Sequence, residues 1–343
     1  MNKLNQITLA ISMMLYIQLQ AQDIHLSQFY HSPLNLNPAL TGDFLGDIRV
    51  TVNHRNQWAS VSVPYLTSSI SVDSRINTKL LKNDGVGIGL LMVHDKSGDG
   101  ELTSLQMMAT LSYFKWLDAN KNHNLSIGFQ AGIFQKHLDN EKLIFGNQFQ
   151  DIDFNMSVDP KENFLDYNVI KADLQAGLVY QFVQPGIKRI TTGISLFHVT
   201  RPEQSFLLDK DRLSMRSVLH GEALFKVSKR TMAGPSLLLM HQVAAREITV
   251  GGRLEHSLES DAAENVKLLF ATHTRISGTD AIILMAGLGY KVWDFGFSYD
   301  INVSSLTLAS SYQGGFELAI IYRENIVTGK RKLPTVLPCI RLE

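Results

Sequence analysis

The sequence predicts an all-β chain: a transmembrane antiparallel β-barrel of about 14 strands with an N-terminal arm ahead of the first strand. Three observations predict it. Segments in which apolar and polar residues alternate recur along the chain, with lengths near the roughly 9 to 11 residues that cross an outer membrane when tilted. Aromatic residues gather near the ends of these segments, at Tyr65, Tyr113, Trp116, Tyr180, Phe182, Tyr290, Trp293, Tyr299 and Tyr322, where such a barrel carries its two girdles. Beyond the first residues no apolar run reaches the roughly 18 residues of a membrane helix, so an exported chain that enters a membrane does so with strands.

A leader is expected at the start. Lys3 precedes an apolar run from Ile7 to Ile17 and then Gln18-Leu19-Gln20-Ala21, the charged, apolar and small-residue order of a signal peptide. The run is too short for a spanning helix, which needs about 20 residues. Cleavage is expected after Ala21, although Leu19 stands where a small residue is usual, so residues 1–21 are read as the signal peptide. Residues 22–46 follow as a periplasmic arm or plug: Pro33 and Pro38, set among asparagines, oppose a long helix. Residues 47–322 carry the alternation, and 323–343 form a tail read as periplasmic, with adjacent Lys330, Arg331 and Lys332.

Strands are expected near 47–58, 65–76, 85–94, 102–113, 124–137, 170–182, 189–198, 216–227, 234–243, 247–256, 265–273, 281–290, 292–300 and 314–322. In the first, Ile48, Val50 and Val52 oppose Arg49, Thr51, Asn53 and Arg55. In the fifth, Leu125, Ile127, Phe129, Ala131 and Ile133 oppose Asn124, Ser126 and Gln130, and in the sixth Ala172, Leu174 and Leu178 oppose Lys171, Asp173 and Gln175. Two segments are poorly patterned: 281–290 is apolar on both faces, and the register of 216–227 is unclear. Alternation alone suits a soluble sandwich equally well. The girdle-like aromatics, and a polar face with charges of both signs, favour lipid outside and a polar lumen inside.

With the first strand rising from the periplasm, odd-numbered connections are extracellular. They include the longest, from about Leu138 to Val169, then TRPEQSFLLDKDRLS and INVSSLTLASSYQG, while QPGIKR and SKRTM are short even-numbered turns. Long outer loops and short periplasmic turns are the usual asymmetry.

Composition narrows the function. The 32 basic residues balance 32 acidic ones, and no basic block marks a nucleic-acid partner. The single cysteine, Cys339, rules out a disulfide framework within the chain or a cysteine zinc cluster. Eleven histidines include no zinc-site spacing. Asp95, Ser97, Asp99 and Gly100 resemble the start of a calcium loop, but the closing position holds Gln106, and a tight hairpin accounts for the same residues. GVGIG at 85–89 is followed by strand, not by the helix a phosphate site needs, and no G-x-S-x-G elbow occurs. No cofactor and no enzymatic activity are expected. In NHRNQW, Asn53 and Arg55 face one way and Trp58 the other, either as a binding cluster at the top of the barrel or as a lumen ion-pair member and a girdle residue.

SQFYHSPLNLNPALTG, NHRNQW, GVGIGLLMVHDKSGDG, KLIFGNQF, SYDINVSSL and GGFELAIIY, in this order from about residue 22 to 340, resemble the PorP/SprF family of type IX secretion proteins. The resemblance implies a non-enzymatic outer-membrane barrel serving export or surface attachment of cargo, gliding-related proteins among them. Its implied partners are secreted cargo at the outer loops, periplasmic secretion machinery and outer-membrane lipid. Residues placed for such contacts are Phe29, Tyr30, Asn53, Arg55, Trp58, Lys330, Arg331 and Lys332. A passive porin or small-molecule transporter would use the same fold, and a soluble β-sandwich or adhesin the same alternation.

Overall fold

The computed structural model describes residues 23–76, 84–139, 142–150, 153–155, 157–159, 167–184, 187–206, 211–243, 245–258, 266–276, 281–304 and 307–324. The signal-peptide reading, Cys339 and the triplet Lys330, Arg331 and Lys332 lie outside the described residues.

Fourteen strands close into an antiparallel barrel: β1 (Ile48–Gln57), β2 (Tyr65–Ile76), β3 (Gly85–Ser97), β4 (Leu102–Trp116), β5 (His123–His137), β6 (Asn168–Gln184), β7 (Ile187–Phe197), β8 (Arg216–Lys226), β9 (Thr231–Gln242), β10 (Ala245–Leu258), β11 (Val266–Arg275), β12 (Ala281–Tyr290), β13 (Trp293–Asn302) and β14 (Gln313–Glu324). Each pairs with its neighbour in sequence, and β1 closes on β14 from Ile48↔Glu324 to Gln57↔Gly315. Among the described strands none is left as an open edge, so ladder hydrogen bonding runs round the whole wall at membrane depth.

Alternation sorts the two faces. Along β5, Leu125, Ile127, Phe129 and Ile133 are exposed on the outside, while Asn124, Ser126 and Gln130 are buried in the lumen. In a soluble protein so much exposed apolar surface would invite aggregation; here it is the face that meets lipid. The aromatics lie at the rims. Tyr290, Trp293 and Tyr322 meet at one end, with Trp293 and Tyr322 ring centroids 4.7 Å apart.

β8 and β12, the two segments with poor patterning, carry apolar residues on the inner face, set in β8 among the inward Arg216, His220 and Glu222. Val218, Leu224 and Ile283 point inward and are buried, and Val218 belongs to a core cluster built inside the barrel with Phe29, Leu36, Ala39 and Leu40 of the arm. Pairing of β8 also shifts at Leu224/Phe225, a local irregularity that breaks the period.

The long connections, 138–167, 198–215 and 303–312, are all at one end, and the first contains a two-residue hairpin of Phe149–Gln150 and Asp153–Phe154. The opposite end has the tight turns 227–230 and 291–292. The calcium-like stretch is a hairpin: β3 runs to Ser97 and β4 starts at Leu102, so Asp95 is a strand residue and accepts from Thr67 Oγ1 at 2.6 Å.

Candidate functional site

What fills the lumen is the chain's own arm. From Asp23 at the long-loop end it descends inside the barrel to Asp43, and Asp47 donates to Glu324 O at 2.9 Å where β1 begins. Only single turns of helix form, at Phe29–His31, Pro33–Leu36 and Pro38–Leu40, because Pro33 and Pro38 start turns but block longer ones. Asn37 is fully buried, and its side chain caps the last turn by accepting from Ala39 N at 2.9 Å.

An irregular segment inside a barrel has backbone groups that no ladder satisfies, so the wall must supply partners. It does so at successive depths. At the top, Asp23 Oδ2 lies 2.8 Å from His198 Nε2 and 3.2 Å from Arg216 Nη1, and Arg216 also donates to Ile24 O at 2.6 Å. One turn lower, Glu317 accepts from Ser27 N at 2.7 Å and Gln28 N at 3.2 Å, and Ser27 Oγ donates to Asp300 at 2.8 Å. Midway, Gln130 donates to Leu34 O, Ser195 to Leu36 O, and Asn37 to Leu178 O and Ile194 O. At the bottom, Ser112 donates to Thr41 O at 2.6 Å, Gly42 N donates to Asp73 at 2.7 Å, and Asp43 pairs with Arg189 at 2.5 Å.

The charged wall groups hold one another as well. Arg55, 2% exposed, pairs with Asp300 at 2.7 Å and Glu317 at 3.3 Å, and donates to Ser27 Oγ. Arg275 reaches Asp300 at 3.4 Å and Glu247 at 3.1 Å. Arg49 grips Asp73 with two bonds, of 2.9 and 2.6 Å, and donates to Leu40 O at 3.0 Å. Buried charges survive only when paired and hydrogen-bonded, and here the arm's backbone completes the set. Two wall glycines provide room: a Cβ on Gly128 would run into the backbone of Pro38 and Ala39, and one on Gly177 into the Asn37 side chain.

Phe29, Tyr30, Asn53 and Arg55 therefore come together in the upper lumen. The Phe29 and Tyr30 rings meet tilted, with centroids 4.4 Å apart, Phe29 packs with Val218 and Leu238, and Asn53 donates to His31 O at 3.5 Å. Their packing and ion pairs are made within the chain, while the Tyr30 hydroxyl and Asn53 Oδ1 are buried without a hydrogen-bond partner. Trp58 stands apart, half-buried just beyond β1, with its N–H on Gly314 O at 2.9 Å. The arm's anchors Asp23, Ser27, Gln28, Asn37 and Asp43, and their receptors His198, Arg275 and Asp300, were not singled out from the sequence. A signal for the wall set exists, since Asp300 and Arg275 fall on the inward parity of their strands.

Among the described residues no group of three His, Cys, Asp or Glu is placed to hold a metal. Ser236 Oγ lies 2.7 Å from His273 Nε2, but His273 Nδ1 has no partner, so the acid that orients a nucleophile's base is missing from this pair. Beside the lower arm a cavity of about 250 Å3 remains, lined by Phe44, Leu224, Met232, Arg253, Lys267 and Arg323 among others.

The profile of the family described as "Type IX secretion system membrane protein PorP/SprF" matches residues 18–322. The chain belongs to this family. No curated protein matches the sequence. Solved structures with a similar shape include the Ralstonia pickettii toluene transporter TbuX, with a TM-score of 0.50 and 10% identity over 84% of this chain and 92% of that one. A Pseudomonas aeruginosa FadL homologue gives 0.46 and 11% over 83% and 92%. At such identities the likeness is one of fold alone. As a PorP/SprF protein the chain is an outer-membrane component of type IX secretion, and membership implies work with the secretion machinery and its cargo in general.

Proposed function

We propose that this PorP/SprF barrel is a non-enzymatic, plugged component of type IX secretion, needed for export or surface attachment of a few partner proteins, gliding-related ones included. The observation that carries this reading is the arm: a lumen crossed from end to end by a segment bonded to the wall at every depth is a poor pore for solutes. The long connections then meet cargo at the cell surface, and the short turns and the tail from residue 323 meet the periplasmic machinery. Trp58, at the outer rim, belongs to the first surface, and Lys330, Arg331 and Lys332 to the second. The rival reading, a passive porin or small-molecule transporter, has the same barrel with an open lumen. A strain lacking the protein separates them. Loss or degradation of one or a few surface proteins with normal small-solute uptake is the expected result, and an unchanged cell surface with impaired uptake would replace this reading with the porin.

A further inference from the structure

The arm is not held alike along its length. Below Phe29 it packs into an apolar core cluster. Above it, Ile24 packs against Leu34, Leu91, Val93 and Met108, and the end of the arm at Asp23 is held by charge. His198 is fully buried just past the end of β7, with Nδ1 2.7 Å from Asp173 Oδ2 on the wall and Nε2 2.8 Å from Asp23 Oδ2 on the arm. Both partners are carboxylates, which only accept, so both ring nitrogens must donate and the ring is an imidazolium. Asp23 is further fixed by Arg216 at 3.2 Å and through its own N–H to Gln242 Oε1 at 2.9 Å.

We propose that the arm is a strap that opens from its long-loop end, and that the Asp23–His198–Asp173 bridge is the latch, closed while His198 carries its proton and released when it loses it. The proposal rests on the plug reading above. Other groups around the bridge favour a closed latch at neutral pH. Thr200 Oγ1 donates to Asp173 Oδ1 at 3.0 Å and Gln175 Nε2 to its Oδ2 at 3.4 Å, the Phe134 ring stands edge-on 6.2 Å from His198, and Arg216 lies over Phe197 at 4.2 Å. Asp95 of β3 feels the charge of Asp23, Lys136 of β5 donates to Gln204, and His25 lies 4.0 Å from Glu247 of β10.

The sign follows from linkage. Burial opposes the charge on His198, but Asp23 and Asp173 outweigh it and raise its pKa to about 9. A histidine raised in the folded state contributes fully below its ordinary pKa, and its contribution disappears as pH rises through the folded value. The deprotonated ring would turn a lone pair toward a carboxylate, and the latch would become repulsive. Asp23 is held well below the usual carboxylate range by Arg216 and His198 against its burial, so the acid side of the window is wide.

The test uses purified full-chain protein in planar bilayers, with a form lacking residues 27–40 as the open reference. The intact protein is expected to stay closed from pH 5 to 8 and to open reversibly as pH passes about 9. Asp23→Asn, which changes no residue of the barrel strands but removes the carboxylate that His198 and Arg216 hold, should conduct at pH 7, with open probability raised on the order of tenfold or more, the shift expected from loss of charge-assisted bonds, and with a smaller alkaline rise. A Leu26→Cys probe, at a buried arm residue whose side chain makes no polar contact, in a Cys339→Ser background, read at pH 7 with an impermeant thiol reagent on the long-loop side, should react in the Asp23→Asn protein and not in its parent. An open reference that conducts, beside an intact protein closed up to pH 10 and a silent Asp23→Asn, would overturn the latch while leaving the plug. A reference that does not conduct would remove the plug and the latch together.

Discussion

Arg55 shows what a single lumen residue does. Its guanidinium compensates Asp300 and Glu317, and through Ser27 it ties the wall to the arm. Arg55→Ala leaves two buried carboxylates without their main counter-charge, and removal of one partner of a buried pair costs about 3–5 kcal/mol. The denaturant midpoint of the heat-modifiable folded band on a gel should fall accordingly, and Trp58→Ala, at a half-buried rim position, should leave it nearly unchanged. Gly128 provides the complementary test by volume. Gly128→Val places atoms where Pro38 and Ala39 sit, so the barrel should still insert while the arm becomes sensitive to added protease. An arm as resistant as in the parent would show that its seat does not depend on this close approach.

At the scale of the strand, register is the claim at risk. Phe129 is 54% exposed on the outer face of β5, and arginine near the midplane on the lipid side costs about 2–4 kcal/mol. Phe129→Arg should therefore block assembly, while Ser257→Arg, on the wall of the lower cavity, should assemble normally; equal effects would reverse the faces. Strands whose inner face meets water or a polar backbone were legible in the sequence, as β1, β5 and β6 show, because alternation there is a direct record of the two environments. β8 and β12 were not, since Val218, packed against the arm, and Leu224 stand among polar inward residues of β8, and Ala281 and Ile283 are buried on the inner side of β12, so both faces carry apolar residues. The arm itself was legible as a non-helical segment from its prolines. Its path was not, because its partners are single inward residues scattered over β2, β4, β5, β7, β13 and β14, each unremarkable in its own strand.

For the whole molecule, orientation decides which surface meets which partner. A cysteine at Asn155, in the fifth connection, in a Cys339→Ser background should react on intact cells with an impermeant maleimide, and one at Lys229, in the tight turn before β9, should not. The reverse pattern would invert the barrel and send the long connections to the periplasm. Closure of the lumen is the larger claim, because it separates a secretion component from a pore of the same shape. Its most direct measurement is the single-channel conductance of purified protein at neutral pH, before and after deletion of Ser27 to Leu40. The arm-filled barrel predicts little current from the intact protein and a large rise after the deletion in a barrel that still shows the heat-modifiable band. Large steady pores from the intact protein, unchanged by the deletion, would contradict it.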